Sequence, residues 1–231
     1  MYTVAIIAGG LASRMLPLTE KIPKSLLSVN GKPFIHWQLD HLSKQGIDKV
    51  VICTGFLGEQ IEDSVGDGKK FGLEVVYSND GPSLLGTGGS LKQALPHLGE
   101  HFFVLYGDSF LPINFHDVQL FYESLGESAL MTVFKNNGQW DKSNVYYEKD
   151  RIILYDKKSQ LEAMQFIDYG LGILSAEVFS PFKNKGYLDL ADVYNNLSKA
   201  GRLAGYEVFE RFYEIGSHEG LKEAHFFLEG V

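Results

Sequence analysis

The sequence predicts an α/β fold in which a mainly parallel sheet is covered by helices on both faces. Short β-branched runs alternate with helical patterns over roughly the first hundred residues, which is typical of such sheets. The 231 residues are 45% hydrophobic, enough for one large core, and no repeat or Pro/Ser-rich linker marks a second unit. We therefore expect a single domain over residues 1–231.

Each element follows from a local pattern. Strands are predicted at residues 2–8, 49–54, 73–78, 102–107, 129–134, 144–148, 151–155 and 170–174, where β-branched and apolar residues cluster. Helices are predicted from Pro33 to Gly46, where Ile35, Leu39 and Leu42 share one face, and over 57–65, 88–95, 189–201 and the residues after Gly216. The later strands are closely spaced, with a hairpin turn at 148–151, so we expect a mixed second half on the same sheet.

Composition restricts the partners and the compartment. The net charge of -8 argues against a nucleic-acid or anionic-membrane surface, yet residues 1–50 carry six basic groups against three acidic ones. The chain start lacks the features of a secretion signal, and no apolar run approaches the roughly 20 residues of a membrane span. Cys53, the lone cysteine, lies in an apolar run and cannot form an internal disulfide. These features predict a cytoplasmic protein.

The stretch IIAGGLASRMLPLTEKIPKSLL, residues 6–27, leaves the first strand through two glycines and then spaces out basic residues. Glycine lets the backbone approach a ligand closely, and Arg14 and Lys24 bring positive charge, so the pattern predicts a phosphate site. It contains neither G-x-G-x-x-G nor the P-loop G-x-x-x-x-G-K-[ST], which argues against an ordinary NAD or kinase-type site.

The same stretch resembles the signature of the sugar-phosphate nucleotidyltransferases, the nucleotide-sugar pyrophosphorylases. The resemblance continues through VNGKPF, LGTGGSLKQAL, YGDS, YDKK, IDYGLGIL and FYEIGS and so spans nearly the whole chain. Arg14 and Lys24 are ten residues apart, which favours the sugar-phosphate branch over molybdopterin-type guanylyltransferases. The chain is similar to the short single-domain group, which includes heptose-1-phosphate and mannose-1-phosphate guanylyltransferases and the N-acetylmuramate 1-phosphate uridylyltransferase.

This resemblance implies a three-layer α/β/α Rossmann-like nucleotide-diphospho-sugar transferase fold and a nucleotide site. In that site Arg14 holds the triphosphate and Lys24 bridges phosphates near the reacting centre. The implied nucleotide contacts are Ala8, Gly9, Gly10, Leu85, Gly86 and Thr87. The LGTGG segment favours GTP without deciding the base.

The resemblance also implies a Mg²⁺ site and an acceptor site. Asp108 follows an apolar strand and is the leading metal ligand, and Glu214 takes the place of a second carboxylate that is usually aspartate in the family. The implied sugar-phosphate contacts are Asn144, Asp156, Lys157 and Tyr169, with Lys157 also counted as catalytic.

We therefore expect an enzyme that transfers a nucleoside monophosphate from an NTP, with GTP favoured, to a sugar 1-phosphate and releases pyrophosphate. Two alternatives stay open: a CTP-dependent cytidylyltransferase for a phosphorylated alcohol such as phosphocholine, and a catalytically silent nucleotide-sugar sensor. The sequence leaves open the base, the sugar, the pathway and the oligomeric state.

Overall fold

The structure is a computed structural model that describes residues 1–10, 13–140, 142–159 and 161–231. Its strands are β1 Thr3–Ile7, β2 Ser28–Val29, β3 Lys32–Pro33, β4 Lys49–Thr54, β5 Glu74–Asn79, β6 His101–Tyr106, β7 Ser109–Phe110, β8 Ala129–Lys135, β9 Val145–Glu148, β10 Arg151–Tyr155, β11 Phe166–Ser175, β12 Ala204–Val208 and β13 Tyr213–Glu214. Its α-helices are α1 Phe34–Lys44, α2 Gly58–Val65, α3 Thr87–Leu98, α4 Phe115–Leu125, α5 Leu190–Lys199 and α6 His218–Leu228. Shorter 3-10 turns include Ser13–Met15 and Lys24–Leu26.

Nine of these strands form one mixed sheet in the order β5-β4-β1-β6-β11-β8-β12-β10-β9. The first four strands are parallel to one another, and β8 is parallel to β12. The strand β11 runs antiparallel to both β6 and β8 and joins the two halves. Because β1, β4, β5 and β6 point the same way, their carboxyl ends share one edge of the sheet, where ligands of open α/β sheets bind.

The sheet separates two apolar layers, as the alternation along its strands requires. In β1, Val4 and Ile6 belong to a core with α1, α2 and α4, while Ala5 belongs to the opposite core with α3 and α5. Helices therefore cover both faces, which confirms the predicted three-layer α/β class.

A third apolar cluster connects distant parts of the chain near the sheet edge. It is formed by Met15, Leu27, Val29, Phe34, Phe110, Ile215, Ala224 and Leu228. These residues come from the segment between β1 and β3, from α1, from β7, from the position just after β13 and from α6. Burying them together fixes the loop that follows β1 against the last helix of the chain.

The helix α4, the strand β12 and the two-residue strands β2, β3, β7 and β13 were not predicted. The helix α4 begins at an Asn114 cap, whose Oδ1 accepts from the backbone N–H of His116 at 2.9 Å, and it ends at Gly126 in the left-handed conformation. The strand β12 was missed because it is short and is held by pairing to β8. The predicted hairpin is present between β9 and β10, with Lys149 and Asp150 at positive φ. None of the described helices combines the length and apolar character needed to cross a bilayer.

Candidate active site

The carboxyl ends of β1 and β6 place the glycine motif next to Asp108. The two strands are paired in parallel from Thr3↔Phe102 to Ile7↔Tyr106. The N–H of Gly107 continues the ladder by donating to the carbonyl of Ile7 at 2.9 Å. A Cβ on Gly107 would lie 2.8 Å from that carbonyl oxygen, so only glycine lets the chains approach this closely. Asp108 therefore stands beside the start of the Ala8–Gly10 segment.

Lys24 contacts Asp108 across the end of the sheet. Its Nζ lies 2.5 Å from Oδ2 of Asp108, and the two side chains keep 22% and 24% of their surface exposed. Lys24 begins a 3-10 turn after Pro23, and Ser25 and Leu27 beside it are buried. The turn is thus anchored by its neighbours while the ammonium group of Lys24 remains accessible from the solvent side.

Glu214 is brought to the same place by a short strand pair. In the β13–β7 ladder Glu214 is opposite Ser109, and the N–H of Ile215 donates to the carbonyl of Asp108 at 2.9 Å. The Glu214 carboxylate accepts from the backbone N–H of Gly216 and from the Ser217 hydroxyl, the latter at 2.6 Å. These bonds hold the carboxylate at the start of α6.

Gly216 marks the point where the three charged groups converge. A Cβ on this residue would lie 2.7 Å from Oε2 of Glu214, 3.2 Å from Oδ2 of Asp108 and 3.6 Å from Nζ of Lys24. Two carboxylates and one ammonium group thus surround a single glycine. The arrangement suits an anion bound together with a cation, because the ammonium group can contact the anion and the two carboxylates can contact the cation.

A cavity of about 550 Å³, called here the carboxylate cavity, opens beside these groups. Its lining is rich in ionisable and aromatic side chains. It comprises Arg14, Tyr106, Asp108, Ser109, Gln139, Trp140, Asn144, Ile167, Asp168, Tyr169, Gly170, Arg211, Phe212, Glu214, Ser217, Glu219, Gly220 and Glu223. Its volume is within the range of small-molecule sites.

A second cavity of about 200 Å³, called here the glycine-loop cavity, is lined by Ile7, Gly9, Gly10, Asp80, Leu84, Gly86, Thr87, Ser90, Tyr187 and Asp189. Asp80 is 8% exposed. Its Oδ2 accepts from the Ser90 hydroxyl at 2.9 Å, while its Oδ1 has no hydrogen-bond partner among the described residues. A buried carboxylate oxygen left in this state indicates a polar ligand, because buried polar groups are normally satisfied.

The predicted nucleotide contacts gather around the glycine-loop cavity with one difference. Gly9, Gly10, Gly86 and Thr87 line it, whereas Leu84 occupies the place expected for Leu85. The Thr87 hydroxyl donates to Oδ1 of Asp189 at 3.1 Å and accepts from the N–H of Leu190 at 2.9 Å, so it ties α3 to α5. Ala8 lies at the end of β1 and its N–H donates to the carbonyl of Cys53.

The predicted acceptor contacts divide into two pairs. Asn144 and Tyr169 line the carboxylate cavity, and burial raises the pKa of the Tyr169 hydroxyl. Asp156 and Lys157 are not among the lining residues. The Asp156 carboxylate accepts from the backbone N–H groups of Lys158 and Ser159, which lowers its pKa, and Lys157 is exposed.

The lining residues that were not predicted as site residues include Asp80, Trp140, Asp168 and Arg211. Asp168 could have been found, because it is a carboxylate within an otherwise apolar strand pattern. Arg211 lies over the Trp140 ring at 4.2 Å and pairs with Glu223, a grouping of three distant segments that no local pattern indicates.

Asp108 and Glu214 could hold a divalent cation. Among the described residues no group of three or more His, Cys, Asp and Glu side chains is arranged as a metal site. Two carboxylates nevertheless fit Mg²⁺, which commonly takes one or two protein carboxylates and completes its shell with substrate phosphates and water. The Asp108 side chain, which pairs with Lys24 through Oδ2, keeps 24% of its surface exposed.

Residues 3–230 match the family described as nucleotidyl transferase. A match over almost the whole chain decides the classification. The chain is a member of the nucleotidyl transferase family. It lies in the sugar-phosphate branch of that family and is an enzyme, as its relatives indicate.

Two curated relatives cover most of the chain. It is 32% identical over 223 residues to an N-acetylmuramate alpha-1-phosphate uridylyltransferase of Neisseria meningitidis, covering 95% of each protein. It is 29% identical over 179 residues to a D-glycero-alpha-D-manno-heptose 1-phosphate guanylyltransferase of Campylobacter jejuni, covering 77% of each. Among solved structures, HddC from Yersinia pseudotuberculosis complexed with GMP-PN shares the fold with a TM-score of 0.81 at 22% identity, covering 99% of this chain and all of that one.

Proposed function

We propose that this enzyme catalyses the Mg²⁺-dependent transfer of a nucleoside monophosphate from an NTP, with GTP preferred, to a sugar 1-phosphate. The convergence of Lys24, Asp108 and Glu214 around Gly216 is the observation that carries the proposal. These groups lie beside the carboxylate cavity, and the segment that leaves β1 contributes to both cavities. A donor bound in one cavity and an acceptor in the other would meet beside these charges.

The reaction is a displacement at phosphorus. An oxygen of the acceptor phosphate attacks the α-phosphorus of the nucleotide, a new P–O bond forms, and the bond to the β-phosphate breaks as pyrophosphate leaves. No protein base is needed, because a phosphate monoester has a second pKa near ~6 and is largely dianionic at neutral pH. The protein has to align two anions and offset their repulsion.

Arg14 and Lys24 supply the positive charge for this task. Arg14 is exposed and lines the carboxylate cavity, and its guanidinium fork can donate to two phosphate oxygens at once. Lys24 is paired with Asp108, so its ammonium group lies beside the carboxylates that would hold the metal. When a triphosphate binds, Lys24 exchanges the carboxylate for a phosphate oxygen and leaves Asp108 free.

Asp108 and Glu214 would hold the magnesium ion. When bound, Mg²⁺ neutralises charge on the triphosphate and on the departing pyrophosphate. The hydrogen bonds from Gly216 and Ser217 fix the direction of the Glu214 carboxylate. The additional methylene of a glutamate, relative to aspartate, is accommodated by this anchoring at the start of α6.

The carboxylate of Asp80 supports guanine as the preferred base. Guanine presents two adjacent donors, N1–H and N2–H, that a carboxylate can accept together. Uracil presents one N–H between two carbonyl oxygens, which a carboxylate repels. Asp80 lines the glycine-loop cavity, and its Oδ2 already accepts from the Ser90 hydroxyl and the N–H of Leu85. Its Oδ1 has no partner among the described residues, and this one oxygen can accept from the two adjacent donors of guanine.

UTP is the second candidate donor, because the relative with 32% identity over 95% of both chains is named as a uridylyltransferase. The names of the two curated relatives also supply the acceptors to test first, N-acetylmuramate 1-phosphate and a heptose 1-phosphate. We place the heptose and hexose 1-phosphates first, since they agree with GTP as donor.

The test is a pyrophosphate-release assay with GTP, UTP, CTP, ATP and dTTP against several sugar 1-phosphates and phosphocholine, with Mg²⁺ and with a chelator. We expect release with GTP and a hexose or heptose 1-phosphate, lost on chelation. Release with CTP and phosphocholine alone would identify a cytidylyltransferase instead. Background release with every pair, together with tight calorimetric binding of a nucleotide sugar, would identify a silent sensor.

A further inference from the structure

Asp168 occupies an irregular point of β11 on the wall of the carboxylate cavity. The pairing of β11 with β8 shifts register between Asp168 and Gly172, and Gly170 between them has φ +110. Such a bulge turns a side chain out of the regular alternation and is frequent beside active sites. Here it directs Asp168 to the cavity within a strand that is otherwise buried and largely apolar.

The carboxylate is held by neutral donors. Its Oδ1 accepts from the N–H of Gly170 at 3.0 Å, and its Oδ2 accepts from the Tyr106 hydroxyl at 3.3 Å. Among the described residues no basic side chain is within ion-pair distance of Asp168. Burial raises its pKa, and the charge of Lys157 partly opposes that rise. Its own N–H donates to Oδ1 of Asn144 at 3.2 Å, which links it to another lining residue.

Asp168 is half-buried and faces the cavity, so its carboxylate can accept hydrogen bonds from a ligand there. The reaction does not require Asp168 as a base, and it is not one of the carboxylates around Gly216. It therefore stands in the acceptor part of the cavity as an oriented hydrogen-bond acceptor with room for donors from a ligand.

The charges around the carboxylate cavity set the chemistry of that ligand. Arg211 pairs with Glu223 through one guanidinium nitrogen and lies over the rings of Trp140 and Tyr213, at 4.2 and 4.9 Å. The lining carries two guanidinium groups, Arg14 and Arg211, against five carboxylates, Asp108, Asp168, Glu214, Glu219 and Glu223, so it is net negative. Such a wall attracts hydroxyl or ammonium donors and repels a second anionic group on the sugar.

We propose that Asp168 selects the acceptor, by accepting hydrogen bonds from hydroxyl groups of a neutral polyhydroxylated sugar 1-phosphate and by excluding sugars that carry a carboxylate. The inference rests on the proposed function. It assigns to Asp168 a contact with substrate that is separate from metal binding and from the phosphate chemistry.

The experiment uses the full chain with GTP or the best NTP and two matched acceptor pairs. These are mannose 1-phosphate with mannuronic acid 1-phosphate, and glucose 1-phosphate with glucuronic acid 1-phosphate, which differ only in oxidation at C6. For the wild type we expect kcat/KM to be at least about tenfold higher for the neutral member of the pair that reacts. Equal values for both members would overturn the proposal without any variant.

The variant Asp168→Asn keeps the size of the side chain and removes its charge. We expect the acceptor KM for the neutral sugar to rise at least about tenfold with the NTP KM nearly unchanged, and the preference over the uronic acid to shrink. Asp63→Asn is the matched control, since that carboxylate is exposed on α2 and lies outside both cavities, and it should behave as wild type.

The outcomes separate the two proposals. If the wild type releases no pyrophosphate with any NTP and sugar 1-phosphate, the proposed function fails. If the wild type reacts and Asp168→Asn retains the wild-type acceptor KM and preference, the selection role fails alone. If Asp168→Asn lowers only the melting temperature and kcat, Asp168 is structural and the selection role is likewise overturned.

Discussion

The glycine-loop cavity and the carboxylate cavity are built by opposite means. The first is lined largely by glycines and small residues and contains a carboxylate held by Ser90. The second is lined by side chains that carry charge or aromatic rings, from segments as distant as Arg14 and Glu223. We therefore expect backbone approach and the Asp80 carboxylate to decide which nucleotide binds in the first cavity, whereas the charges of the second cavity act on the acceptor and on the reaction. Substitutions should accordingly alter nucleotide binding in the first cavity, and acceptor binding or turnover in the second.

The largest effect is expected at the junction of charges. Lys24→Ala and Asp108→Asn each remove a preorganised charge contact, and we expect kcat/KM to fall by about 10²–10³, or roughly 2.7 to 4 kcal/mol of barrier. The measurement is steady-state pyrophosphate release. Lys32→Ala and Asp40→Asn are matched controls, because that Lys–Asp pair lies outside both cavities. Near-wild-type turnover in Lys24→Ala would refute the assigned role.

A smaller effect is expected from the carboxylate of the glycine-loop cavity. Asp80→Asn replaces an acceptor pair by one acceptor and one donor, so we expect the GTP-over-UTP ratio of kcat/KM to fall by about tenfold or more. Competition assays with both nucleotides measure the ratio directly. Ser90→Ala is the companion variant: it removes the hydroxyl donor to Asp80 and keeps the charge, so most of the preference should persist. An unchanged ratio in Asp80→Asn would exclude base selection by this residue.

Substitutions at Gly9 and Gly10 should separate an effect on stability from an effect on nucleotide binding. A Cβ on Gly9 would lie 3.2 and 3.3 Å from backbone atoms of Gly55 and Thr54, whereas a Cβ on Gly10 would have no described atom within 4 Å. We expect Gly9→Ala to lower the melting temperature by about 2–4 °C. Gly10→Ala should keep the melting temperature and raise the NTP KM several-fold, because its methyl group intrudes on the nucleotide. Calorimetry and kinetics on both variants test this, and a wild-type NTP KM for Gly10→Ala contradicts a close backbone approach.

The smallest effect is expected at Lys157. Its side chain is exposed and outside the cavity lining, so solvent screens its contribution to acceptor binding. We expect Lys157→Ala to raise the acceptor KM only a few-fold. The difference in acceptor KM between the variant and the wild type should be smaller at high salt than at low salt. The neighbouring Lys158→Ala variant is the control. A loss as large as that of Lys24→Ala would mean that Lys157 reaches the reacting phosphates.

Local patterns were sufficient for the strand and helix units of the first half and for the α/β class. The apolar alternation in β1 and the 3.6-residue spacing of Ile35, Leu39 and Leu42 can each be recognised from a few neighbouring residues. The strand β12 depends on pairing with β8, from which it is separated by some seventy residues, and local propensity does not report such pairing. The missed helix α4 did carry a local signal in its Asn114 cap and its terminal Gly126.

The site residues also differ in whether a local sequence pattern could predict them. Residues that end a strand, such as Gly10 and Asp108, could be recognised from the strand itself, because the topology brings parallel strand ends together. Arg211 required the three-dimensional structure, because the ring that it contacts, Trp140, is far along the chain. Asp156 stays a prediction as an acceptor contact, and its carboxylate accepts hydrogen bonds from the backbone N–H groups of Lys158 and Ser159.

The short β7–β13 ladder has a consequence for how activity arises during synthesis. This strand pair brings Glu214 beside Asp108. Its strand β13 is translated more than a hundred residues after β7. A nascent chain that has completed only the parallel half of the sheet holds the glycine loop, Lys24 and Asp108, but lacks the second carboxylate. The ribosome-bound intermediate is therefore expected to be inert, and catalytic competence begins when the final helix docks.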